Sequence, residues 1–85
     1  MEVQLVYLAR LREAFGMSGE RAALPQGVAT VGALVEWLRG RGGEWAIQLA
    51  PGRAYRVAVN QSMAGADAAI AAGDEIALFP PVTGG

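Results

Sequence analysis

A chain of 85 residues with 53% apolar content and a net charge of −1 is sized for one globular domain and is too hydrophobic for a disordered segment. Its basic residues are all arginines (Arg10, Arg12, Arg21, Arg39, Arg41, Arg53 and Arg56), scattered with no basic run, which argues against a nucleic-acid partner. Cysteine, histidine and lysine are absent, which excludes disulfides, thiolate zinc sites, thiol and Schiff-base catalysis and the commonest general base.

A domain of this size buries roughly 60% of its unfolded surface, a thin core that the apolar content can build unaided. The opening Met1-Glu2-Val3-Gln4 carries an acid where a targeting peptide would carry basic residues. No apolar run approaches the ~20 residues of a membrane helix. A soluble, cytoplasmic protein with no membrane partner is the expectation.

In chain order, Val3 to Ala9 predicts a strand. Val3, Leu5 and Tyr7 alternate with Gln4, Val6 and Leu8, so both faces carry apolar groups, as in a central strand. Arg10 to Phe15 reads as a short helical turn, broken by Gly16 or Gly19. Glu20 to Leu24 reads as an edge strand stopped by Pro25. The clearest helix begins at Thr30, a candidate N-cap, and carries Val31, Leu34, Val35 and Leu38 on one stripe. Gly42 and Gly43 are its expected stop. Glu44 to Leu49 suggests a second short helix.

Tyr55 to Val59 predicts the next strand, followed by a turn at Asn60-Gln61-Ser62. Ala64 to Ala72 reads as a loop anchored by Ile70. Gly73-Asp74 marks a turn, and Glu75 to Phe79 a last strand. A helix laid across a mixed sheet is an α+β arrangement and matches a β-grasp pattern. The expected division is a domain over residues 1–79 and an extended tail over 80–85.

The tail is Pro80-Pro81-Val82-Thr83-Gly84-Gly85. Two prolines fix φ near −65° and favour an extended exit, and six residues reach roughly 20 Å. Gly84 and Gly85 lack a Cβ, which suits a narrow channel. A glycine pair at a terminus is often mere fraying. The stiffened approach and the anchoring strand argue for a working end.

Phe79-Pro80-Pro81-Val82-Thr83-Gly84-Gly85 resembles the signature end of the small subunit of molybdopterin synthase, the MoaD family. Leu8-Ala9-Arg10-Leu11-Arg12-Glu13 and Val57-Ala58-Val59-Asn60-Gln61 resemble that family's segments after its first strand and around its third. The resemblance spans nearly the whole chain. It implies a ubiquitin-like β-grasp fold and a sulfur carrier that is not catalytic alone. Gly85 would carry first an acyl-adenylate, formed by an activating enzyme with ATP, and then a thiocarboxylate. The large synthase subunit would use that sulfur to build the molybdopterin dithiolene. Gly84, Thr83, Val82, Pro81 and Pro80 would line the route into the partner, Phe79 would contact it, and neither a metal nor a bound cofactor is implied.

Carriers for thiamin, cysteine or tRNA thiolation share the fold and the Gly-Gly end, as do ubiquitin-like protein modifiers. These remain open alternatives, beside a binding module with an inert tail. Trp37 and Trp45 read as core-edge aromatics before interface ones, and Tyr7 and Tyr55 as core residues with wet hydroxyls. Arg12-Glu13 reads as a solvated pair, and Asp74-Glu75 as turn chemistry.

Overall fold

A computed structural model describes residues 1–81. The elements are β1 (Glu2–Tyr7), α1 (Ala9–Phe15), β2 (Gly19–Ala23), α2 (Val31–Arg39), α3 (Gly43–Gln48), β3 (Arg56–Val59), β4 (Ser62–Ala64) and β5 (Glu75–Phe79). The strands form one mixed sheet in the order β2-β1-β5-β3-β4. β1 runs parallel to β5, and every other pairing is antiparallel. As the alternation predicts, β1 is interior and β2 lies at an edge.

Register decides which face each side chain takes. Leu5 pairs with Ile76 and Tyr7 with Leu78, and Val57 and Val59 in turn face Leu78 and Ile76. Those residues share one face, and all but half-buried Val59 are fully or nearly fully buried. The stripe Val31, Leu34, Val35 and Leu38 is buried in the same core. A fully buried leucine contributes about 1.5–3 kcal/mol through lost apolar surface, so this stripe is the main reason α2 stays docked. Thr30 caps the helix as expected, its Oγ1 accepting from the Ala33 N–H at 3.2 Å. Ile70 anchors its loop in the core, and the neighbouring Ala69 makes an isolated bridge to Thr30.

Three expectations need correction. α2 stops at Arg39 with Gly40 as its cap, two residues before the Gly42-Gly43 pair, which instead starts α3. The third strand begins at Arg56, so Tyr55 lies before it. Ser62 is not a turn residue: it opens β4, a strand the sequence reading missed. The reversal occupies only Asn60 and Gln61, both at positive φ (51° and 70°), the geometry of a two-residue hairpin turn. Among the described residues, no helix is long and apolar enough to cross a membrane.

Candidate functional site

β5 is held between β1 and β3, so its C-terminal end at Phe79 emerges from the middle of the sheet. Phe79 pairs with Arg56 across β3. On the other side, the Leu8 N–H donates to the Leu78 carbonyl at 3.1 Å, extending the β1 ladder by one residue. The chain then turns at Ala9, whose φ of 51° is a left-handed conformation that costs a non-glycine residue about 1–2 kcal/mol. That turn starts α1 beside the strand end. Arg10 Nη2 donates to the Ala54 carbonyl at 3.1 Å, joining the segment after β1 to the segment before β3. The tail therefore leaves a root braced by its own neighbours on both sides. Pro80 and Pro81 are half-buried at this root.

The face opposite the helices is where Phe79 belongs, because it alternates with buried Leu78. A row of Val6, Ala77, Ala58 and Met63 crosses this face through successive Cα pairs. Leu8 continues it beyond β1, since its extended backbone (φ −123°, ψ 154°) preserves the alternation. Met63 is 63% exposed, Leu8 43%, and Phe79 is half-buried. A lone exposed methionine needs no explanation, but Leu8 and Phe79 share this face beside the tail, with Met63 on the same face across Ala77 and Ala58, which gives the face an apolar character. The sequence reading found only Phe79. It missed Met63 because β4 was unassigned, and the two-residue turn at Asn60-Gln61 was the available signal.

A polar network closes the other side of the sheet. The buried Tyr7 hydroxyl donates to Glu20 Oε2 at 2.7 Å, so it is satisfied within the protein and is not wet as expected. Arg41 grips the same carboxylate with two hydrogen bonds, Nη1 to Oε2 at 2.7 Å and Nη2 to Oε1 at 3.0 Å. Its guanidinium lies 5.0 Å from the Trp37 ring centre and 4.5 Å from that of Trp45, which stacks on Phe15 at 3.8 Å. Both tryptophans thus serve the core edge. Arg41 holds the Glu20 carboxyl below its ordinary value, and burial followed by Glu20 raises the Tyr7 phenol well above its own. This is packing chemistry, with no group left free to act on a substrate.

Asp74 is also accounted for by turn chemistry. Its oxygens accept from Asn60 Nδ2 at 3.0 Å and the Ala71 N–H at 2.8 Å, and those bonds lower its carboxyl value. Arg12 and Glu13 are exposed on α1. A cavity of about 330 Å³ lies beside the start of α2, lined in part by Val31, Gly32, Arg53, Tyr55 and Arg56. The first amides of that helix are already committed, Val31 N–H to Ala68, Gly32 N–H to Ala66 and Ala33 N–H to Thr30, so it offers no ready anion cradle. No cluster of three or more potential metal ligands exists among the described residues. Val82, Thr83, Gly84 and Gly85 lie outside the described residues, so the structure carries the expected site only as far as its root.

Residues 5–85 match the ThiS family. The molybdopterin synthase sulfur carrier subunit of Haemophilus influenzae is 39% identical over 83 residues, spanning 98% of this chain and 99% of that protein. Among solved structures, SAMP1 of Haloferax volcanii, a small archaeal modifier protein, superposes over the full length of both chains with a TM-score of 0.80 and 33% identity. A chain from the protein–protein complex of subunits 1 and 2 of the molybdopterin-converting factor of Helicobacter pylori also covers both chains completely, with a TM-score of 0.67; at 19% identity that likeness speaks for the fold alone. The α+β, ubiquitin-like β-grasp expectation is thereby met.

Proposed function

The chain belongs to the ThiS family, and we propose that within it this protein is the sulfur-carrying small subunit of a molybdopterin synthase. The observation that carries this reading is the nearly full-length likeness to the Haemophilus sulfur carrier subunit, beside a family match over residues 5–85 that takes in the Phe79–Gly85 end. The chain's own composition supports it: a protein without cysteine, histidine or lysine contributes a terminus and a surface, while its partners contribute the catalytic groups.

The chemistry follows from the carboxylate. A C-terminal carboxylate is a poor acyl donor. One of its oxygens attacks the α-phosphate of ATP in the activating partner, pyrophosphate leaves, and Gly85 becomes an acyl-adenylate. A sulfide-equivalent nucleophile then adds to that carbonyl and AMP leaves, giving the thiocarboxylate. In the large synthase subunit the thiocarboxylate sulfur attacks the cyclic pyranopterin precursor to form an acyl–sulfur linkage, and water hydrolyses that linkage, leaving the sulfur on the precursor and returning Gly85 to a carboxylate. Pro80, Pro81, Val82, Thr83 and Gly84 line the route, and Phe79 with Leu8 and Met63 forms the docking face for the large subunit. ATP is the activating partner's substrate, and no cofactor is bound by this chain.

A second reading, a ubiquitin-like modifier joined to other proteins through Gly85, is favoured by the likeness to SAMP1. Carriers of thiamin, cysteine or tRNA thiolation would use the same terminus. Deleting Gly85, or adding one residue after it, should abolish sulfur loading and leave the thermal melt unchanged. An extended, untrimmed protein that still supports cofactor synthesis would overturn the proposal. Gly85-linked adducts on other proteins, without complementation of a strain lacking the synthase small subunit, would favour the modifier reading.

A further inference from the structure

Three exposed arginines lie near the end of the sheet from which the tail departs, although the chain as a whole carries a net charge of only −1. At the end away from the tail, Glu2, Asp74 and Glu75 sit at the starts of β1 and β5. At the tail root sit Arg10 and Arg56, with Arg53 next in sequence to Ala54, the residue that Arg10 binds. Arg56 is the cross-strand neighbour of Phe79. Arg10 bonds to the Ala54 carbonyl, and because β5 lies between β1 and β3, that bond spans the strand end from which the tail departs. Arg53 donates to Gln48 Oε1 at 2.9 Å and shares the wall of one cavity with Arg56. All three are exposed, and among the described residues the ion pairs are Arg41–Glu20 and Arg21–Glu2, so none of the three is neutralised by a carboxylate.

We propose that Arg10, Arg53 and Arg56 form a docking collar for an acidic protein surface on the large synthase subunit, around the entrance that receives the tail. The proposal rests on the synthase reading above. Position argues against a direct part in the chemistry: Gly85 is six residues past Phe79, and a tail drawn out extended into a partner's channel would hold the reacting carbonyl up to roughly 20 Å from a guanidinium at the root. Place favours docking. Arg56 borders the apolar row through Phe79, which gives this face an apolar centre and a charged rim, the common layout of a transient interface. Any protein that swallows the tail must bring its entrance up to this rim. Unpaired arginines there cost little in the free carrier and steer an acidic partner during approach.

Association with the purified large subunit, followed by stopped-flow and by titration calorimetry across a salt series, tests the collar. The variants are Arg56→Glu, whose side chain makes no described hydrogen bond to be lost, and the triple change Arg10→Gln, Arg53→Gln and Arg56→Gln. Arg21→Gln, next to Glu2 on the far edge strand, is the control. Thermal melts confirm folding. The collar predicts an association rate about tenfold slower for Arg56→Glu at low salt, a flatter salt dependence for both collar variants, and no change for Arg21→Gln. Wild-type rate and salt slope in a folded Arg56→Glu protein would overturn the collar while leaving the synthase reading intact. Failure of the wild-type chain to bind the large subunit at all would overturn both.

Discussion

One sheet presents two faces of opposite character. On the covered face, Val3, Leu5, Tyr7, Ile76 and Leu78 are all at most 1% exposed and interlock with α2. On the open face, in the alternate positions of the same strands, Val6, Ala77 and Phe79 are half-buried, and Met63 is largely exposed. A strand alternates its side chains strictly, so every second residue of β5 packs in the core while the residues between face the other way, where the proposed partner would dock. On that proposal, folding energy and partner affinity are separable down to adjacent residues.

The sharpest break of that division comes from the covered face. Leu34→Ala removes a fully buried side chain and should cost about 2–5 kcal/mol of stability in chemical denaturation, with affinity unchanged in the fraction that stays folded. A loss below about 0.5 kcal/mol would mean the packing of α2 is misassigned. Phe79→Ala is the matching change on the open face. It should weaken binding to the large subunit by about 2 kcal/mol or more, roughly thirtyfold, with only a small shift in Tm. Equal losses of stability and binding would place Phe79 in the core account instead.

Acid should reach the covered side through Glu20. Arg41 and Tyr7 hold that carboxyl low, so its contribution is present above the ordinary carboxylate value and is lost as pH falls through the lower folded value. Tm should therefore decline below about pH 4, and Glu20→Gln, already less stable at pH 7, should decline less steeply. Parallel curves for the two proteins would remove Glu20 from the acid response. Met63→Ser makes the smallest expected change: about a threefold loss of affinity by calorimetry and no change in Tm, because the side chain is already mostly in water.

The legibility of the sequence followed the same split. The covered face was readable because burial writes itself as periodicity: the α2 stripe, the alternation of β1 and the Ile70 anchor all stand where pattern predicts. The open face was not readable, because a partly exposed surface of Val6, Ala77 and Met63 leaves no periodic signature of its own. β4 is only three residues long, too short to alternate visibly, and its loss hid Met63. The Tyr7–Glu20–Arg41 network was invisible for another reason: it joins β1, β2 and the segment after α2, partners far apart in sequence. The tail was read in another way, from the resemblance of Phe79–Gly85 to a family signature and from covalent character: proline restricts and glycine permits. Val82 to Gly85 lie outside the described residues, so that reading belongs to the proposal.

The central proposal is that Gly85 leaves its activating partner as a thiocarboxylate. Its most direct test is the intact mass of the protein isolated from its own host, before and after a thiol-alkylating reagent. The account predicts a population heavier by one oxygen-to-sulfur exchange that takes up one alkyl group at the C-terminal peptide. Because the chain has no cysteine, no other thiol competes, and oxidation of Met1, Met17 or Met63 would leave a species the reagent does not label as a thiol. A single unmodified mass in cells actively making the cofactor, with no alkylation at Gly85, would contradict it.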